Sequence, residues 1–196
     1  MQELTWPEVR EITESSSTAL IPVGSTEQHG PHAPLGTDLF IPEFIATSVA
    51  RKKNILCTPA IPVGVSSHHR HFWGTLWVDP DTFAGYLEDI VKSLSFHGIE
   101  KVVIVNGHGG NRAALRQLGQ RARERLDVYV AVWTWFEAVE KLVKELFEGN
   151  QVLHADGPEI SALLALNDKR VKEEKFQEAE RDAAETWGNF IHGAEI

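Results

Sequence analysis

The sequence predicts an α/β fold: a mostly parallel central sheet with helices on both faces. Short β-rich apolar runs alternate with longer stretches of helical periodicity, the pattern of a sheet wound with crossover helices. The run "KVVIVNG" (101–107) is apolar without alternation, as strands covered on both faces are. The segments richest in histidine and carboxylate each follow a predicted strand, and parallel α/β sheets place their sites at the carboxyl ends of strands.

Taken in order, "STALIPVG" (17–24) is a buried strand, short and apolar and ended by Pro and Gly. "IPEFIATSVARKK" (41–53) has apolar residues at helical spacing and a basic end suited to a helix C-terminus. "ILCTPAIPVG" (55–64) is a second strand, broken at Pro59. "DPDTFAGYLEDIVKSLSFHG" (79–98) is a helix, with Asp79 or Asp81 as cap, Pro80 in the first turn and Gly98 just past the end. Strand 101–107 is followed by helix 111–126, strand 127–135 and a helix 136–149 that ends at Gly149. Segment 157–167 is a short apolar helix, and 168–185 is a charged, solvated helix or surface arm. Trp133 and Trp135 fall on an inner strand and are expected in the core.

The 196 residues, 42% hydrophobic, suit one domain over 1–196 with a sizeable core. A formal charge of −9 argues against nucleic-acid or anionic-membrane binding, which needs a basic surface. The single cysteine, Cys57, excludes an internal disulfide and is consistent with a cytoplasmic setting. "MQELTWPEVREI" has no basic stretch leading into an apolar one, so no secretory signal is expected. No apolar run approaches the roughly 20 residues that span a bilayer.

Four constellations carry chemistry. In "GSTEQHGPHAPLGTD" (24–38), Glu27 and His29 stand two apart in extended chain and point the same way. Asp38 can fold back on them after a Gly/Pro-rich turn. One nitrogen and two carboxylates suit Zn, Mn or Fe(II); the alternative is a polar surface loop. In "VNGHGGN" (105–111), His108 sits at a strand mouth among glycines that permit close approach to a ligand. A phosphate cradle at the helix start and an incidental glycine turn are its rivals, but neither G-x-G-x-x-G nor Gly-Lys-Ser/Thr is present. In "LHADGPEIS" (153–161), His154 and Glu159 stand across a turn, while Asp156 and Glu159 also read as a capping box. In "SSHHRHFWGT" (66–75), His68, His69, Arg70 and His71 form a basic cluster next to Phe72 and Trp73, which suits a pocket wall that orients or binds an anionic or polar substrate or, equally, a surface turn or subunit contact.

Together, "PVGSTEQHGPHAPLGTD", "GHGGN" and "HADGPEIS" resemble the creatininase family, whose pattern runs G-S-x-E-Q-H-G-x-H-L-P-L-x-T-D, N-G-H-G-G-N, H-A-G-x-x-E-T-S. Asp156 and Ile160 depart from the third block, and Trp73 replaces the proline of the family's F-P-G-T-L. "WGNFIHGAEI" (187–196) is similar to a family tail segment. The resemblance implies a three-layer α/β/α sandwich and a hydrolase of C–N bonds in amides, carrying two divalent metal ions. It implies that Glu27, Asp38 and His108 hold one ion, that His29, Asp38 and Glu159 hold the other, and that His154 is the catalytic acid/base. Gln28, His32 and Asn106 would orient the ligands. Gly109 and Gly110 join Ser67, His68, His69 and Trp73 as expected substrate contacts.

Creatininase proper carries a glutamate where this chain has Gly110. The departure points away from creatinine and moves the second ion's carboxylate to Glu159, as in the N-G-H-G-G-N branch. That branch suggests a formylaminopyrimidine nucleotide as substrate, with creatinine or another small cyclic amide as the alternative. A ligand-binding or peptide-maturation accessory protein without catalysis is the rival of another class. The resemblance also implies a homo-oligomer, often a hexamer in the family.

Overall fold

The computed structural model describes residues 1–147, 154–166 and 169–182. Four parallel strands, β1 (Thr18–Val23), β2 (Leu56–Cys57), β3 (Lys101–Asn106) and β4 (Tyr129–Thr134), form one sheet in the order β2-β1-β3-β4. The crossovers carry α2 (Thr37–Lys53), α3 (Pro80–Phe96) and α4 (Arg112–Arg125). They are preceded by α1 (Trp6–Ser15) and followed by α5 (Trp135–Ala138), α6 (Glu140–Leu146), α7 (Gly157–Ala165) and α8 (Phe176–Asp182).

Alternation along β1 builds the two interior faces. Ala19, Ile21 and Val23 face α3 and α4, meeting Phe83, Leu87, Val91, Leu115 and Leu118 in the larger core. Leu20 and Val105 face the opposite way, onto Ala46 and Ala50 of α2. A third cluster joins Ile41 of α2 to Trp135, Ile160 and Leu163. Helices thus cover both faces, as expected.

Because β1 continues to β2 on one side while β3 lies on its other side, the winding direction reverses between β1 and β3. Ligands of open α/β sheets bind in the crevice at that reversal. The register places Val23 beside Asn106, and Asn106 beside Thr134, so three strands end level with one another.

Several elements differ from expectation. Helix α2 begins at Thr37 rather than 41, with Pro42 inside it. Proline has no N–H, so the Asp38 carbonyl loses its donor four residues on. That carbonyl is packed instead against Gly24 and Gly107, where an added Cβ would collide with it. The strand expected over 55–64 is only Leu56–Cys57 plus one bridge, Val23 to Ile61, because Pro59 and Pro62 supply no donors. Strand β4 lies at the edge of the described sheet, so Trp133 is 38% exposed while Trp135 is buried. The helix expected over 136–149 breaks at Val139 into α5 and α6, and its predicted end at Gly149 lies outside the described residues.

The arm expected over 168–185 is not wholly solvated. Val171 is buried, Phe176 packs on the third cluster, and helix starts only at Phe176 after a 3-10 turn, Glu173–Lys175. Residues 183–185 and the tail 187–196 lie outside the described residues. Helix α1 was not anticipated, although Thr5 and Glu8 form a capping box at 2.6 Å and Pro7 sits in the first turn. None of the described helices is long and apolar enough to cross a membrane.

Gly107→Ala should destabilise the protein by about 1–3 kcal/mol, the usual cost of overpacking, because the methyl meets Asp38 backbone rather than a mobile side-chain end. Thermal melting checks it: a fall of several degrees is expected, and an unchanged midpoint would contradict the close approach.

Candidate metal centre

The five expected ligands arrive at the β1/β3 reversal on four pieces of local structure. Glu27 and His29 leave the end of β1, Asp38 stands in the first turn of α2, His108 follows β3, and Glu159 lies in the first turn of α7. All five are buried. Asparagines hold the strand ends in place. Asn106 Nδ2 donates to the His108 carbonyl (2.9 Å), and Asn106 Oδ1 accepts from His108 N–H (3.2 Å). Asn111 Nδ2 donates to the Gly24 carbonyl (3.1 Å), and Asn111 Oδ1 accepts from Val65 N–H (2.9 Å). The "GHGGN" segment therefore spends its histidine on the crevice and its asparagine on tying loops together, which disfavours the phosphate-cradle reading.

The imidazole tautomers follow from the backbone. His108 Nε2 lies 3.0 Å from the Val65 carbonyl, which only accepts, so Nε2 carries hydrogen. Nδ1 of the neutral ring then turns its lone pair toward Asp38 Oδ2 (2.8 Å) and Glu27 Oε1 (3.2 Å). His29 repeats the device. Its Nδ1 donates to the Glu27 carbonyl (3.1 Å), and Nε2 faces Asp38 Oδ1 (3.1 Å) and Glu159 Oε2 (3.8 Å). Glu27 Oε1 and Asp38 Oδ2 are buried and accept no hydrogen bond.

Lone pairs converge on two points, with one Asp38 oxygen at each. In the interior such an arrangement needs either cations or bound protons to offset the carboxylate charge. The donor sets, one imidazole and two carboxylates each, fit borderline divalent ions such as Zn, Mn or Fe(II). His29, Asp38 and Glu159 bring ligand atoms within 4.8 Å of one another, as do Glu27, His29 and His154, and Glu27, His68 and His108.

Without ions the same space fills with protons. Burial alone would lower the two buried histidines, but the Asp38 carboxylate outweighs it, lifting His29 from 6.5 to about 9 and, with Glu27, His108 to about 10. Burial raises Glu159 from 4.5 to about 8 and raises Glu27 as well. Burial works against ionised Asp38 too, yet the charges of His29 and His108 hold it well below the usual carboxylate range.

His154 faces the cluster from the turn before α7. Its Nε2 lies 2.7 Å from the Gln28 carbonyl, and its Nδ1 lies 3.6 Å from Glu27 Oε1. Burial first, then charge on His29 and His69, pushes it down to about 2, so this ring stays neutral. The capping box expected for α7 does not form, since Asp156 makes no side-chain cap bond. Glu159 Oε2 instead accepts from Ala155 N–H (2.8 Å), whose φ of 56° bends the chain between His154 and the helix.

Among the expected wall residues, His69 stacks on His154 (4.3 Å between ring centroids), accepts from Gln28 Nε2 (3.0 Å), and lies 3.8 Å from Glu27 Oε1. His68 stacks parallel to His108 at 5.7 Å. An added Cβ at Gly110 would collide with the Val65 carbonyl that anchors His108, so the glutamate of creatininase proper has no room here. Gly109 is open. Trp73 is 98% exposed, so within one chain it walls nothing, contrary to the sequence reading.

Ser67 is half-buried; its neighbour Ser66 is the serine tied to the cluster. Ser25 Oγ donates to Glu27 Oε2 (2.9 Å) and lies 2.9 Å from Ser66 Oγ, whose hydroxyl donates to the Leu76 carbonyl. Sequence reasoning missed Ser25 and Ser66, although Ser25 stands in the G-S-x-E block. Gln28 does orient both rings, donating from its side chain to His69 and accepting from His154 at its carbonyl. His32 is buried with its ring edge-on to Phe176.

Residues 2–195 match the Creatininase family profile, described as creatinine amidohydrolase. Creatinine amidohydrolase of Pseudomonas putida is 30% identical over 182 residues, covering 84% of this chain and 70% of that protein. The 3-dehydro-scyllo-inosose hydrolase of Thermotoga maritima is 32% identical over 173 residues, covering 84% of this chain and 55% of its own length. A mycofactocin precursor peptide peptidase of Mycobacterium tuberculosis is 36% identical over 115 residues, covering 54% of this chain and 45% of its own length. A crystal structure of creatinine amidohydrolase superposes with a TM-score of 0.75 at 29% identity, covering 89% of this chain and 74% of that one. Other similar structures are a mutant creatininase of Zn-Zn type (TM-score 0.74, 29% identity) and an Mn creatininase (TM-score 0.74, 30% identity).

Metal uptake should be coupled to pH. The folded pKa values of His29, His108 and Glu159 are raised above 6.5, 6.5 and 4.5, so their protons stabilise the metal-free fold at low pH. That stability is lost as pH rises through about 8 to 10. Asp38, depressed, contributes above its usual 3.8. Bound ions replace those protons. The gap in melting temperature between Zn-loaded and metal-free protein is therefore expected to widen from pH 6.5 to 9.5; a constant or narrowing gap would contradict the site.

Proposed function

Since the chain belongs to the creatininase family, we propose that it is a divalent-metal-dependent hydrolase acting on a small carbonyl compound, by preference the C–N bond of an amide. The observation that carries this is the pair of imidazoles, each anchored by one nitrogen on a backbone carbonyl, each turning the other toward two carboxylates that share Asp38. Glu27, Asp38 and His108 would hold one ion, and His29, Asp38 and Glu159 the other. Bound there, divalent ions supply an acidified water and a polarised carbonyl.

The chain's own groups account for the proton traffic. The Gln28 carbonyl fixes hydrogen on His154 Nε2, which leaves Nδ1 as the basic atom facing the cluster. Nδ1 accepts the proton of the attacking water and returns it to the departing nitrogen. Gln28 holds both rings: its backbone carbonyl accepts from His154 Nε2, and its side-chain Nε2 donates to Nδ1 of His69, the ring stacked on His154. In the metal-free protein, burial and then charge on His29 and His69 keep this ring neutral and a weak base; neutral His29 and His69 would remove the charge part of that depression.

By their names, the relatives act on creatinine, an inosose and a precursor peptide. The formylaminopyrimidine nucleotide expected from the sequence rests on the G-H-G-G-N segment alone. The absence of room for a glutamate at Gly110 favours a substrate other than creatinine. Assembly as a homo-oligomer and a cytoplasmic location are part of the same proposal.

The test is turnover by Zn-, Mn- and Fe(II)-loaded protein on formamides, creatinine, small lactams and short peptides. On whichever is hydrolysed, His154→Ala should lower kcat about 10²–10⁴-fold, the range of acid–base help, with metal content retained. Unchanged kcat would remove His154 from the chemistry. A protein that binds metal yet hydrolyses nothing in the panel would favour a ligand-binding role.

A further inference from the structure

Resting on this metal-centre reading, we propose that His68 is a further, loop-borne ligand of the ion held by Glu27 and His108. The ligand atoms of Glu27, His68 and His108 lie within 4.8 Å of one another. Glu27 Oε1 is fully buried, aimed into that space, and accepts no hydrogen bond. His108 Nδ1 stands 3.2 Å from it, close to the roughly 3.3 Å between two ligands of one tetrahedral ion with bonds of about 2.0–2.1 Å. The His68 ring stacks on His108 (5.7 Å between centroids, interplanar angle 4°), and since imidazole lone pairs lie in the ring plane, ligation takes a turn of the exposed His68 ring about its side-chain bonds.

The frame around His68 is fixed. Ser66 is bonded to Ser25 and the Leu76 carbonyl, Thr75 lies 3.3 Å from Gln28 N–H, and Leu76 pairs with Thr26. His68 itself sits in the Ser67–His69 turn and is exposed. It approaches from the solvent side, while Glu27, Asp38 and His108 approach from the interior.

This ligand makes the two positions unequal. The His29–Asp38–Glu159 position offers one nitrogen and two oxygens. With His68, the Glu27–Asp38–His108 position offers two of each, a set that suits Zn, Fe(II) or Co(II) better than oxygen-preferring Mn or Mg. It also couples the 66–75 segment to occupancy of that position.

Chelator competition on Zn-loaded wild type, His68→Ala and Asp38→Ala tests this, with the visible absorption of the Co(II)-loaded proteins as a second readout. His68→Ala should give up one ion about 10–100-fold more readily, the scale of a lost contact around a metal. It should keep the other ion and alter the Co(II) spectrum, and because His68 is exposed, metal-free His68→Ala should melt with the wild type. Asp38→Ala should lose both ions. If His68→Ala matches wild type in retention and spectrum while Asp38→Ala loses metal, the His68 proposal is overturned and the metal centre stands. If Asp38→Ala retains both ions, the metal-centre reading itself fails.

Discussion

The whole crevice depends on a buried carboxylate with two unequal neighbours. Asp38 turns Oδ2 to His108 and Oδ1 to His29, and its backbone carbonyl is wedged between Gly24 and Gly107 at the ends of the two central strands. Charge this deep costs several kcal/mol per ion unless compensated. Glu27 and Glu159 add to the load, since three carboxylates and two imidazoles share one pocket. Neither hydrogen bonding nor the histidines alone satisfies them, as the unpartnered oxygens of Glu27 and Asp38 show. Such a cluster is a strained arrangement for a chain without cations and a natural one for a chain with them.

The fold makes that cluster possible by geometry rather than by local propensity. Winding reverses between β1 and β3, so no crossover helix covers the crevice where both strands end. Pro42 denies the Asp38 carbonyl its helical partner, and two glycines let the strand ends approach it. Anchoring of each imidazole on a backbone carbonyl then converts strand position into ring orientation. Rigid backbone, not flexible side chains, sets where the lone pairs meet.

Much of this was legible in the sequence. Strand β3 was readable because burial on both faces leaves an unbroken β-branched run, and α3 because Asp79, Pro80 and Gly98 punctuate it. Glu27, His29, Asp38 and His108 were singled out because they cluster at predicted strand ends and after a Gly/Pro-rich turn, whereas Glu159 read equally as a cap and joined the set only through the family resemblance. What was not legible depended on tertiary context. The helix expected from Ile41 starts at Thr37, with Pro42 inside it. Ser66 and Ser67 are neighbours in an irregular turn, where nothing local says which faces inward. Trp73 carries an apolar ring that suggests a wall, yet its loop turns it to solvent. The edge position of β4 followed from strand order, which no single segment encodes.

The most direct test of the shared-carboxylate account is anomalous diffraction at a metal absorption edge from crystals grown with Zn or Mn. The account predicts two peaks about 3.5–4 Å apart, the usual spacing of paired ions, one beside each oxygen of Asp38. A single peak, or two peaks of which only one touches Asp38, would contradict it.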